Sequence, residues 1–134
     1  KQKGKNIMYG TRVKDLLRRA GRAIVYGEKG NQYTIIFDED GAIPLDGKGR
    51  RIKPIPYEVF DKIEDYLKEK GGTLATSSIR HHKTAHELEG EKSVAGAIVS
   101  IMGTTSVDNA HYVRAILAWA DLINNKRGFI EQRA

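Results

Sequence analysis

The chain has no cysteine, which excludes disulfides and thiolate zinc sites and fits an intracellular protein. It also has no apolar run approaching the roughly 18 residues a bilayer-spanning helix needs, and no signal-peptide pattern precedes the first helix. A cytoplasmic protein without a membrane partner is the expectation, resident in a host cell if a virus or mobile element encodes it. The four histidines, His81, His82, His86 and His111, lack the paired spacing of an HExxH site, so no metal is expected, and nothing calls for a cofactor. Internal repeats, low-complexity segments and linkers are missing as well. One domain is therefore expected.

What is present is an ordinary globular composition. Apolar residues make up 40% of the 134 positions and charged residues 30%, enough for a modest core under a soluble surface. The net charge of +6 suits a polyanionic partner. Ribosomal, membrane-surface and plain soluble proteins share that balance, so it does not choose a partner alone.

Periodicity sketches the elements. Val13, Leu16 and Leu17 share one helical face, and Gly21 ends that helix. Ala23–Tyr26 and Tyr33–Phe37 are β-rich runs joined as a hairpin across the turn Gly27-Glu28-Lys29-Gly30-Asn31, and a second turn, Asp38–Gly41, leads to Ala42–Leu45. Pro56 opens a helix with the stripe Val59, Phe60, Ile63, Tyr66 and Leu67, which Gly71-Gly72 stop. Helices are expected over 79–89 and 93–102. A last amphipathic helix carries Val113, Ile116, Leu117, Ala120 and Ile123 and ends at Asn124-Asn125.

Three local motifs stand on this frame. The first is YGTRVKDLL, with Arg12. The second is Gly47-Lys48-Gly49-Arg50-Arg51-Ile52-Lys53-Pro54-Ile55-Pro56. The third runs through Ile79-Arg80-His81, Thr84-Ala85-His86-Glu87-Leu88 and Met102-Gly103-Thr104 to Tyr112. In order and spacing these resemble the boxes of the tyrosine recombinases, the phage-integrase family: TGLRISELL, then a lysine-bearing β-hairpin arm, then LRH…ATHLL…LGH…Y. The resemblance implies catalytic roles for Arg12, Lys48, Arg80 and Tyr112.

The chemistry explains the residue types. A tyrosine phenolate attacks phosphorus and stores the bond energy in a covalent phosphotyrosyl link. Guanidinium forks hold the non-bridging oxygens and stay charged at any working pH. A lysine with cationic neighbours can give the leaving 5′-oxygen its proton. Each residue alone has a plainer reading: Arg12 as a helix-surface arginine near Asp15, Lys48 as a turn lysine, Arg80 on a solvated face, Tyr112 as a half-buried tyrosine leading a helix. Their joint occurrence inside three matching motifs favours the catalytic set.

The chain also departs from the family pattern. Ser77 stands where the family has histidine or lysine, and Thr104 where it has histidine or tryptophan. The lysine motif is a residue or two short, and the loop from Gly103 to Tyr112 is one residue short. His81, His82 and His111 are the groups at hand to take over the acid–base work. His81 and His86 also match the histidines of LRH and ATH, where packing is the plainer role.

The resemblance covers about residues 8–113 and implies an α+β fold, mainly helical, with a small antiparallel sheet. Residues 1–134 are read as a single C-terminal catalytic domain, a fragment of a longer protein. Its expected function is site-specific DNA recombination or integration through a 3′-phosphotyrosyl intermediate, without metal. The expected partner is double-stranded DNA, bound as a homotetramer whose subunits are monomers when free, with 113–134 as the segment reaching to a neighbour. Two alternatives stay open. One is a non-catalytic basic DNA-binding module using helices 79–89 and 93–102 as a helix-turn-helix; the other is a type IB topoisomerase fragment.

Overall fold

The computed structural model describes residues 8–76, 85–88, 90–103 and 109–133. Helix α1, Tyr9–Ala20, buries Tyr9, Val13 and Leu17, one stripe at helical spacing. Its chain reverses at Gly21, whose φ of 72° suits a residue without Cβ and whose N–H donates to the Leu17 carbonyl at 2.7 Å. The N-terminal end of α1 lacks a side-chain cap from Met8. Helix α2, Glu58–Glu69, supplies it instead: Glu64 Oε1 accepts from the Tyr9 N–H at 2.8 Å and Asp61 Oδ1 from the Gly10 N–H at 2.7 Å. Two carboxylates thus meet the positive end of the α1 dipole. Gly10 permits the approach, because a Cβ there would lie 2.5 Å from the Tyr57 carbonyl oxygen.

A three-stranded antiparallel sheet follows α1. Strands β1 (Arg22–Tyr26), β2 (Gln32–Phe37) and β3 (Ala42–Pro44) lie in the order β1-β2-β3. Ala23, Val25 and Ile35 face inward with α1, while Arg22, Ile24 and Tyr26 face out. The backbone of Ala42 exchanges both hydrogen bonds with Ile55, at 2.9 and 2.7 Å, so the chain returns beside β3 before entering α2. Tyr57 clamps this return, its hydroxyl donating to the Asp38 carbonyl at 2.6 Å.

The rest of the core comes from α2, from α4 (Val94–Met102) and from α5 (Ala110–Trp119), which meet over Phe60, Ile63, Leu67, Ile98, Val113, Ile116 and Leu117. Helix α4 is capped by Ser93, whose hydroxyl accepts from the Gly96 N–H at 2.9 Å. A short helix α3, Ala85–Leu88, lies before it; residues 79–84 and 89 of the expected helix 79–89 are outside the described residues.

The architecture is α+β, as expected, but with two small antiparallel sheets instead of one. Strands β4 (Thr73–Ala75), β5 (Ile123–Lys126) and β6 (Phe129–Gln132) form the second, in the order β4-β6-β5. The last helix does not run to Ile123. It ends at Trp119; Asp121, at φ 68°, turns the chain, and Ile123 opens β5 instead. Ile123 fits the helical stripe in the sequence because it returns to the same core. Asn124-Asn125 are strand residues, not terminators, and the β5–β6 turn falls at Arg127-Gly128, with Gly128 at φ 82°. Within the segment expected to reach to a neighbour, β5 and β6 pair with each other and β6 pairs with β4 of the same chain. Among the described residues no helix is long and apolar enough to cross a membrane.

Candidate functional site

Tyr112 sits in the first turn of α5, one residue ahead of Val113, which begins the buried face of that helix. The rotation that buries Val113 leaves Tyr112 half-buried at the edge of the first sheet. There it meets Tyr33 of β2, with ring centroids 5.1 Å apart and planes at 75°, an edge-to-face contact. His111 completes the cluster, its ring 4.0 Å from that of Tyr112 and 5.3 Å from that of Tyr33. Burial raises the Tyr112 pKa above that of an ordinary tyrosine, and the neighbouring Tyr33 and the negative charge of Asp46 push the same way. At neutral pH the group is a phenol.

The same groove holds the turn that carries Lys48. An open cleft of about 430 Å³ is lined by Tyr112, Tyr33, Arg22, Asp46, Gly47 and Gly49, among others. Asp46 builds the turn around its own carboxylate. Oδ1 accepts from the N–H groups of Lys48 at 2.8 Å and Arg50 at 2.9 Å, and Oδ2 from Arg50 Nε at 2.9 Å. Those hydrogen bonds, the Arg50 N–H first and the Lys48 N–H next, hold the Asp46 carboxyl below the usual carboxylate range. The expected hairpin arm is therefore a tight turn closed by a single bridge between Leu45 and Arg51. The positive φ of Gly49, 79°, closes it.

Arg12 is on the exposed side of α1 and is not among the residues lining the Tyr112 groove. Asp15, the neighbour a surface arginine would pair with, bonds Arg18 at 3.1 Å instead. Arg80, Ser77, His81, His82 and Thr104 lie outside the described residues. So the structure brings together Tyr112, His111 and the turn Asp46–Gly49, while Lys48 itself, like Arg12, is not among the residues lining the Tyr112 groove. Among the described residues no three His, Asp or Glu side chains gather as a metal site.

Three groups at the site went unread in the sequence. Asp46 was visible in principle, since an Asp two residues before a turn lysine is an Asx-turn signature. Tyr33 and Arg22 give no such sign, because strand pairing brings them near α5. Helix α4, half of the proposed helix-turn-helix, buries Val94 through Val99 and has no charged residue. It offers no polar face with which to read bases. Compared with protein-family models, with curated proteins and with solved structures, the chain matches none.

Proposed function

We propose that this chain is the catalytic domain of a tyrosine recombinase, cutting and rejoining double-stranded DNA through Tyr112. The observation that carries the reading is the groove shared by Tyr112 and the turn bearing Lys48. Nucleophile and acid belong on opposite sides of one phosphate; the turn lines the cleft through Asp46, Gly47 and Gly49, and Lys48 would swing in from that turn to reach the leaving oxygen. The resemblance gives the charge-holding role to Arg12 and Arg80; Arg12 does not line this groove, so the role falls to Arg80.

In this reading the Tyr112 oxygen attacks phosphorus, forming the 3′-phosphotyrosyl bond as the bond to the 5′-oxygen breaks. Lys48 protonates the leaving oxygen, and the imidazole of His111, against the phenol ring, receives the phenolic proton. Rejoining runs the same steps in reverse. A raised Tyr112 pKa makes the free protein a poor nucleophile. A cation at the phosphate must offset it, and this reading gives that role to Arg80. Activity is thereby tied to bound DNA. Assembly as a tetramer on DNA belongs to the same proposal.

The test is a duplex nicked close to the cleavage point, so that the short cut fragment diffuses away and the covalent adduct accumulates. Wild-type protein should form an adduct that survives denaturing gels. Tyr112→Phe should form none, and Lys48→Ala should lower its rate by about 10²-fold. Wild-type protein that binds the duplex but never becomes attached would make the chain a non-catalytic DNA-binding module.

A further inference from the structure

We propose that a second pocket, sharing Tyr33 and His111 with the Tyr112 cluster, binds a backbone phosphate of DNA through Arg114 and Lys29. The inference rests on the reading above, since it names the DNA contact beside the nucleophile. The pocket, about 150 Å³, lies between the β1–β2 turn and α5 and is lined by Lys29, Asn31, Tyr33, His111, Arg114 and Asn125. His111 and Arg114 are three apart on α5 and therefore share a face. One aromatic ring, Tyr33, separates this pocket from the nucleophile. A strand whose scissile phosphate meets Tyr112 would bring a neighbouring phosphate here.

The state of Arg114 argues for an anion. Its guanidinium is half-buried, with Nε donating to Asn125 Oδ1 at 2.8 Å and Nη2 to the Lys126 carbonyl at 2.6 Å. Both acceptors are neutral, and among the described residues no carboxylate forms an ion pair with it. Two of five N–H donors are used in these bonds, and the fork's remaining donors suit the two oxygens of a phosphodiester. Burial draws the group below the usual arginine pKa, and the negative charges of Glu28 and Tyr33 nearby only partly oppose it. Glu28 also lines the rim, but Lys29 beside it leaves the pocket net positive before His111 is counted. Fastening α5 to β5 would account for the two bonds to Asn125 and Lys126. It leaves the charge unexplained.

The experiment measures the salt dependence of binding to a fluorescein-labelled duplex by anisotropy, for wild type, Arg114→Gln, Lys29→Ala and Arg133→Gln. Arg133 pairs with Asp121 away from the pocket and serves as the control. If Arg114 neutralises a phosphate, Arg114→Gln should flatten the slope of log K against log salt by about 0.9, and Lys29→Ala should flatten it less. Arg133→Gln should leave it unchanged. An Arg114→Gln protein that melts like wild type and keeps the wild-type slope overturns the proposal. If Arg114→Gln does not fold, Lys29→Ala decides by the same reading. In a second arm, inorganic phosphate is titrated while the Arg114 side-chain N–H is followed by NMR. Saturable shifts there with an unchanged duplex slope would mean a free-anion site, which also overturns the DNA assignment. Covalent attachment is scored separately with Tyr112→Phe. A flattened slope without any adduct sinks the recombinase reading and leaves the pocket standing; an adduct with an unflattened slope does the opposite.

Discussion

Gly96 shows how much one hydrogen atom can matter. Within a helix, replacing glycine by alanine ordinarily stabilises, by up to about 1 kcal/mol. Here a Cβ would lie 1.9 Å from the Glu91 carbonyl oxygen, inside the turn that leads into α4. Overpacking against backbone costs roughly 1–3 kcal/mol, so Gly96→Ala should destabilise, the reverse of the helix-propensity sign. Gly47, in the Lys48 turn, has open space around its would-be Cβ and no positive φ. Gly47→Ala should stay within about 0.5 kcal/mol of wild type. Urea titrations of both, with m unchanged, check the pair. A second residue-scale effect concerns pH. Burial pushes the Tyr57 phenol up to about 12 while it donates to the Asp38 carbonyl. The unfolded chain loses this proton near pH 10, before the folded protein does, so stability is full below pH 10 and falls as pH rises toward 12. Tyr57→Phe should make that alkaline decline shallower. An undiminished decline would mean that other groups cause it.

At the scale of elements, α1 depends on α2 for its cap. Asp61→Ala removes the acceptor for the Gly10 N–H and should cost about 1 kcal/mol in urea unfolding. Asp61→Asn should cost less, because it keeps an acceptor and removes a carboxylate whose charge is disfavoured. Burial raises the Asp61 pKa, and Glu64, Asp65 and Glu58 add to the rise against the Gly10 hydrogen bond. Equal losses in the two variants would show that the carboxylate charge is needed. The elements differ in how openly the sequence declares them. α1, α2 and the β1–β2 hairpin are legible because their stripes are complete and glycines punctuate their ends. The second sheet is not. Its strands have three or four residues, and each buries a single side chain, Leu74, Ile123 or Ile130. No period can be read from one inward residue, and the pairing of 73–75 with 129–131 is a long-range contact that no local pattern encodes.

For the molecule as a whole, the first sheet, the Asp46 turn and α5 bring together residues far apart in the chain. Tyr112 and Lys48 are legible as motif residues. Their supports, Tyr33, Asp46 and Arg114, come from pairing, turn chemistry and helix docking, and carry no motif. The central claim is that Tyr112 is the atom-level nucleophile on DNA. The most direct measurement is mass spectrometry of the protein after reaction with a duplex carrying a bridging phosphorothiolate, digested with protease and nuclease. The expected product is a nucleotide attached through its 3′-phosphate to the peptide containing Tyr112. Attachment at any other residue, or an adduct formed equally by Tyr112→Phe, would contradict it.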